Sequence, residues 1–520
     1  VNMWANDVAQ KIIKERPNEK VYTIASGVSP SGFVHIGNFR EIVTPYFVAK
    51  ALKKLGKNVR FILSIDNYDR FRKVPYGFPE EYAKYIGKPY VDIPSPYSEN
   101  ESYAEFFQNR FLGEIKKMGI EVECIFQADE YRKGRYNEKI KLALDKRREI
   151  FDIIDAFRTQ DAEEGERENF YPISVYCANC GKETKKILSY DEKTGDITYS
   201  CECGHTEKIN VKTARNIKLQ WKVDWPMRWQ IENVTFESGG MDHSTAGGSH
   251  DVAERISKEI FGYKPPVYEP YNFIGIKGGG AKMSSSKGRV LTLTDLLNVY
   301  DRHLILWFYA KYKPMQSFNL AFDNDVIRFY SEYDRMVKAY FNGKLDAGNS
   351  EILSYTDVEE DYLNYPNFSY LATFLPIVNF NEEMLANLMK KENADPNSSF
   401  YKERLERAKF WVENYGAEYQ VNLLTEKNTE FYNTLSAEEK SWVAKTLSLL
   451  DRDYATSDDL QMALYEVVKY LNLEPQELKK TQKRYFEILY NLLLGKDQGP
   501  KLGIFLMAVG KEKLTNLFTF

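Results

Sequence analysis

Apolar and polar positions follow two different rhythms along the 520-residue chain. In the first half, short β-branched runs alternate with stretches of helical spacing. Val21-Tyr22-Thr23-Ile24-Ala25-Ser26 has the composition of a buried strand and ends at Gly27. Ile42, Tyr46, Ala49, Leu52 and Leu55 then recur at helical spacing, and Gly56 suits the helix end. Pro45 inside that run predicts a kink or a late helix start. Val59-Arg60-Phe61-Ile62-Leu63-Ser64-Ile65 is a second buried strand, ending at Asp66. Strand, helix and strand in succession predict a βαβ unit, hence a parallel sheet with a right-handed crossover. In such sheets ligands bind beyond the carboxyl ends of the strands, where Ser26–Asn38 and Asp66–Asp69 fall.

From about Phe322 to Phe520 the pattern is rich in Leu, Tyr, Lys and Glu, with no βαβ repeat. Ser457-Asp458-Asp459 is a helix start, and Leu460, Leu464, Val467, Val468 and Leu471 form one apolar stripe after it. Pro475, Gly499 and Pro500 punctuate later helices. The expected fold is therefore α/β: a Rossmann-like parallel-sheet catalytic domain, interrupted by an insertion and followed by an all-α domain. The expected segments are 1–90 and 213–275 for the catalytic domain, 91–212 for the insertion, 276–340 for a connecting domain and 341–520 for the helical domain.

Hydrophobic residues make up 43% of the chain, enough for several cores, and the length exceeds one ordinary domain. No run has the ~20 consecutive apolar residues of a spanning helix, and residues 1–7 lack a signal-peptide layout. A cytoplasmic enzyme without a membrane partner is expected. The net charge of −4 excludes a generally basic nucleic-acid coat, so any RNA contact must come from local patches. Lys146-Arg147-Arg148 and Lys479-Lys480-Thr481-Gln482-Lys483-Arg484 are such runs, although runs of this kind are usually solvated helix faces. Tyr485 and Phe486 are placed either to stack bases or to pack in a core.

Three stretches carry candidate chemistry. Pro30-Ser31-Gly32-Phe33-Val34-His35-Ile36-Gly37-Asn38 lies where strand one meets its helix, and a helix N-terminus suits phosphate. Gly32 and Gly37 allow close backbone approach, and His35 can hydrogen-bond a phosphate; a plain strand-to-helix turn is the alternative. Lys282-Met283-Ser284-Ser285-Ser286-Lys287-Gly288 follows a triple glycine and has the donors of a loop that closes over a triphosphate. Cys177-x2-Cys180, twenty residues, then Cys201-x-Cys203 has the spacing of a structural Zn²⁺ knuckle, with His205 as a possible substitute ligand.

The two phosphate-type motifs together resemble the His-x-Gly-His and Lys-Met-Ser-Lys-Ser signatures of class I aminoacyl-tRNA synthetases, with Asn38 in place of the second histidine and Ser285 in place of the second lysine. His35-Ile36-Gly37-Asn38-Phe39-Arg40-Glu41, Asp69-Arg70-Phe71-Arg72-Lys73-Val74-Pro75, Trp221-Lys222-Val223-Asp224-Trp225-Pro226-Met227-Arg228-Trp229 and Gly240-Met241-Asp242-His243 narrow it. They resemble the class I lysyl-tRNA synthetases of archaea and some bacteria, strongly over about 20–300 and weakly in the helical tail. Asp66-Asn67 departs from the paired aspartates expected there.

The resemblance implies ATP-dependent activation of L-lysine and its transfer to tRNA(Lys), with ATP carried by Mg²⁺ and a structural Zn²⁺. Glutamyl-type activity and a catalytically silent RNA-binding paralogue are the alternatives. It implies catalytic roles for His35, Asn38, Lys282, Ser284 and Lys287, and ATP contacts from Pro30, Gly32, Gly37, Asp242, Met283 and Ser285. A lysine side chain needs an aromatic wall and a carboxylate. Glu41, Trp221, His243 and Tyr271 are the candidates, with Gly27 and Ser29 beside them, and Cys177, Cys180, Cys201 and Cys203 would hold the zinc.

Overall fold

A computed structural model describes residues 3–278 and 290–520. The chain forms two compact units. One comprises 1–297, 305–320 and 347–356; the other comprises 298–304, 321–346 and 357–520.

The strands of the first unit are β1 (Tyr22–Val28), β2 (Val59–Ile65), β3 (Glu123–Phe126), β4 (Ile173–Tyr176), β5 (Glu183–Thr184), β6 (Ile187–Tyr190), β7 (Asp196–Ser200), β8 (Thr206–Asn210), β9 (Ile217–Leu219), β10 (Val234–Gly240) and β11 (Val267–Tyr271). Five of them make one sheet in the order β11-β10-β1-β2-β3, with every neighbouring pair parallel. β1 and β2 run in register from Tyr22↔Val59 to Val28↔Ile65, and the helix Arg40–Lys54 joins them as the βαβ pattern requires. Its start is displaced by a 3-10 turn at Ile36–Phe39, and the helix continues through Pro45. Gly56 ends it at φ 79°, a conformation that favours glycine.

The segment 91–212 supplies the edge strand β3 and the helix Tyr103–Lys117 that precedes it, capped by Ser102, whose Oγ accepts from the Glu105 N–H at 3.1 Å. β3 has four residues, too few to stand out from the surrounding helical pattern. Farther along, β5-β4-β9 and β6-β7-β8 form two small antiparallel sheets. Ile173, Val175, Ile197 and Tyr199 from these strands share a core with Tyr131, Tyr136 and Ile140. The two arginines of the basic run at 146–148 are tied into this region. Arg147 donates to Glu168 O and Phe170 O, and Arg148 pairs with Glu168.

In the second unit every element from Asp325 to Phe518 is helical. Its centre is Arg404, 1% exposed, which pairs with Asp334 at 2.7 Å and Asp301 at 3.3 Å and donates to Pro366 O. The helix Ser457–Glu466 begins in a capping box of Thr456 and Asp459 and buries Leu460 and Leu464. It is shorter than the apolar stripe predicts. Asn472 turns to φ 51°, so Leu471 ends a separate 3-10 turn. Pro475 opens the helix Pro475–Leu494, and Tyr485 within it is fully buried against Thr446, so it belongs to the core. Among the described residues no helix is long and apolar enough to cross a membrane.

Candidate functional site

A cavity of about 350 Å³ opens beyond the carboxyl ends of β1 and β10 and continues between the sheet and the helix Trp221–Glu232. β1 has β2 on one side and β10 on the other, so the cavity sits where the strand order reverses. Its rim gathers Gly27, Ser29, Gly32, Asn38 and Glu41 from the β1 turn and the helix after it. Trp221, Asp242, His243 and Tyr271 complete it from the other side. Pro30, His35 and Gly37 lie beside the cavity and not on its lining. The His35 ring turns back on its own turn: Nδ1 accepts the Gly37 N–H at 2.9 Å and caps the 3-10 turn. A Cβ at Gly37 would lie 2.9 Å from that nitrogen, so this glycine makes room for the histidine, whereas Gly32 is open. Burial holds the His35 imidazole below its usual pKa.

Two contacts tie this motif to a distant part of the chain. Ile36 N–H donates to Leu291 O at 2.8 Å, and His35 bridges to Thr292. Lys282, Met283, Ser284, Ser285 and Lys287 lie outside the described residues.

The Glu41 carboxylate faces the cavity deep inside the unit, and its Oε2 accepts from the Tyr271 hydroxyl at 2.5 Å. Burial pushes the carboxyl up to about 8; the Tyr271 hydrogen bond opposes this, while Glu237, Asp242 and Asp66 add like charge. The arginine beside it, Arg40, is spent on structure, donating to the carbonyls of Asn272, Gln316 and Lys313.

The floor comes from one helix. Trp221, Trp225 and Trp229 recur every four residues, so they share a face. Trp221 and Trp225 stack with ring centroids 5.1 Å apart. Trp225 and Trp229 donate their Nε1 hydrogens to Glu237 Oε2 at 2.5 and 2.6 Å. Arg228 also lines the cavity but is neutralised on both sides, by Asp66 at 2.7 Å and Asp224 at 2.5 Å. Burial pushes Asp66 up to about 6 against the pull of Arg228. At the departure from paired aspartates, the Asn67 Oδ1 accepts from the Ala128 N–H at 2.8 Å. Glu237, Trp225 and the Arg228 pairs were not picked out from sequence. The signal available was the four-residue spacing of the tryptophans and of Asp224 with Arg228.

At the end of β10 a side chain has no room. A Cβ on Gly239 would lie 2.1 Å from the Tyr268 hydroxyl, and one on Gly240 would lie 2.6 Å from Asp242 Oδ1.

The four clustered cysteines converge at a second place. Their sulfurs all lie within 4.8 Å of one another, with Cys177–Cys203 at 3.7 Å and Cys180–Cys201 at 3.5 Å. A tetrahedron with Zn–S bonds of ~2.3 Å has S···S edges of about 3.8 Å, so the donor set fits the metal. Gly181 and Gly204 follow the two pairs at φ 76° and 93°, and their N–H groups close tight turns onto Cys177 O and Cys201 O. His205 instead contacts Glu207 at 3.2 Å and stands outside the cluster.

Comparison with known proteins adds the family. The model for tRNA synthetases class I (K) matches residues 2–359. A lysine–tRNA ligase of Pyrococcus horikoshii is 35% identical over 523 residues, covering 98% of each chain. One of Borreliella burgdorferi is 35% identical over 532 residues, covering 99% of this chain and 98% of its own. Among solved structures, a glutamate tRNA ligase from Elizabethkingia meningosepticum aligns with a TM-score of 0.45 and 14% identity, over 96% of this chain and 98% of that one. With the family model covering more than half of its length and relatives above 30% identity along nearly all of it, the chain belongs to the class I (K) tRNA synthetases.

Proposed function

We propose that this protein is a lysine–tRNA ligase, forming lysyl-adenylate from ATP and passing the lysyl group to the 3′-terminal adenosine of tRNA(Lys). The observation that carries the substrate is Glu41: a carboxylate that lines the cavity without a cationic partner among the described residues, held by Tyr271 beside an indole wall. Such a site suits an ammonium on an aliphatic stem. A glutamyl enzyme needs a free cation for a side-chain carboxylate. Here the cavity's arginine, Arg228, is already paired with Asp66 and Asp224.

In the first step the lysine carboxylate attacks the α-phosphate of ATP and pyrophosphate leaves. Asn38, exposed on the rim, and His35, through its Nε2, hold phosphate oxygens. Asp242 holds the ribose hydroxyls, and Pro30, Gly32, Gly37, Met283 and Ser285 border the nucleotide. Lys282, Ser284 and Lys287 stabilise the charge on the leaving group; Leu291, four residues after Lys287, is hydrogen-bonded to the His35 motif. Mg²⁺ travelling with ATP neutralises phosphate charge. Gly27, Ser29, Trp221 and His243 shape the lysine pocket around Glu41 and Tyr271. In the second step the 2′-hydroxyl of the terminal adenosine attacks the lysyl-adenylate carbonyl and takes the acyl group, and AMP leaves. Catalysis of this kind rests on positioning and charge stabilisation.

Cys177, Cys180, Cys201 and Cys203 would hold Zn²⁺. Four thiolates leave it no open position, so its contribution is to fix the β4–β9 segment. The segment 91–212 contacts the acceptor end, and the helical domain, 341–520, reads the anticodon. The test is aminoacylation of total tRNA with each standard amino acid in turn. Charging with lysine alone is expected. Charging with glutamate instead would overturn the pocket, and a folded protein without ATP–pyrophosphate exchange in the presence of tRNA would favour a silent RNA-binding paralogue.

A further inference from the structure

The cavity contains a second acidic side chain that neither the resemblance nor the spacing of the motifs singles out. Glu237 lies in the middle of β10, paired across the sheet with Ala25 on one side and Tyr268 on the other. It is only 9% exposed, and it lines the same cavity as Glu41. Its two oxygens have different surroundings. Oε2 accepts both indole N–H groups, from Trp225 and Trp229, which fixes the side chain. Oε1 has no hydrogen-bond partner among the described residues. No lysine, arginine or histidine among them forms an ion pair with Glu237: Arg228, the cation that borders it, is held by Asp66 and Asp224 and reaches Glu237 only through its field, which partly offsets the effect of burial.

A buried carboxylate without a cation is unfavourable, and two of them around one small cavity repel each other. Burial accordingly pushes Glu41 up to about 8 and Glu237 up to about 7, against the hydrogen bonds that favour their charged forms. Retaining both is explicable when the missing positive charge arrives with the ligand. If the two indoles only needed an acceptor, a neutral one would serve with less strain.

We infer that Glu237 is a second specificity-determining carboxylate, which places its charge on the chamber that receives the substrate's side-chain ammonium. Trp225 and Trp229 are its positioning residues. Glu41 and Glu237 together define a pocket for a cation and exclude amino acids with acidic side chains. This rests on the lysine reading of the site.

The test is Glu237→Gln, which keeps an acceptor oxygen for the indoles and removes the charge. Two quantities are measured: the KM and kcat for lysine in tRNA charging, and the inhibition constant of norleucine, which has lysine's alkyl chain without its ammonium. The lysine KM is expected to rise about tenfold or more with kcat within about threefold, the size of a lost polar contact in a discriminating pocket. Norleucine inhibition is expected to stay where it was. An unchanged lysine KM, or a parallel loss of both ligands as from a merely structural role, overturns the inference. If the glutamine variant does not fold, Trp229→Phe removes one of the two donors and keeps the charge. It should raise the lysine KM by a smaller factor without moving norleucine, and an unchanged KM again overturns the role. Wild-type protein that fails to charge lysine sinks the lysine reading itself. Wild-type charging with an indifferent Glu237 variant sinks only this inference.

Discussion

The Glu41 carboxylate accepts a hydrogen bond from Tyr271 and meets no cation among the described residues. In an unfolded chain this group titrates near 4.5, and in the folded, ligand-free protein near 8. Across that window the native state keeps a proton that the unfolded state has lost, so Glu41 makes stability fall as pH rises through it. Below 4.5 both states are protonated and the contribution is constant. The expected result is a thermal midpoint of the ligand-free protein that drops between about pH 5 and pH 8 more steeply in the wild type than in Glu41→Gln. Saturating lysine should recover the midpoint at the upper end by binding only the folded state, and only in the wild type. Equal pH profiles for the two proteins would remove the buried charge from the argument. In charging assays the same variant should raise the lysine KM by about a hundredfold, the cost of losing a buried charged partner.

At the scale of elements, the cysteine knuckle has the clearest consequence. Its two turns bring four sulfurs within 4.8 Å of one another, while β4–β9 on their own form only short strands of two to five residues. Small sheets of this kind depend on a staple. The purified protein should carry one zinc ion per chain by elemental analysis. Cys177→Ser should release it and open 173–219 to limited proteolysis, with the parallel sheet left intact. Full metal retention in that variant would rule out the four-cysteine site. The tryptophan helix supplies the other lesson at this scale. Its three indoles are legible as a stripe, but which of them packs, which stacks and which holds Glu237 depends on β10 lying beneath it.

For the molecule as a whole, the chain forms two compact units. The second is centred on Arg404, buried between Asp301 and Asp334. Removing one member of a buried ionic group leaves uncompensated charge and costs about 3–5 kcal/mol. Arg404→Leu should therefore lower the denaturant stability of the second unit by that amount. Calorimetric lysine binding, a property of the first unit, should persist while tRNA charging falls. A variant as stable as the wild type would show that the arginine group is dispensable.

Much of this was legible before folding was considered. The β1–helix–β2 order, the turn at Gly56, the position of the His35 motif beyond β1 and the convergence of the cysteine pairs all follow from local rules, because period, turn residues and ligand spacing are written within a few tens of residues. Long-range arrangement was not. β3 was too short to give a periodic signal, and its place at the sheet edge depends on pairing with β2. That Asn67 accepts from Ala128 and that Arg228 meets Asp66 are contacts between segments far apart in sequence, and that Glu237 lines the cavity depends on how β10 lies against the tryptophan helix. Sequence alone determined which chemistry the chain can offer. Tertiary packing decided which charges are paired and which stay unpaired, because burial and the proximity of distant groups, not residue type, set the cost of a charge.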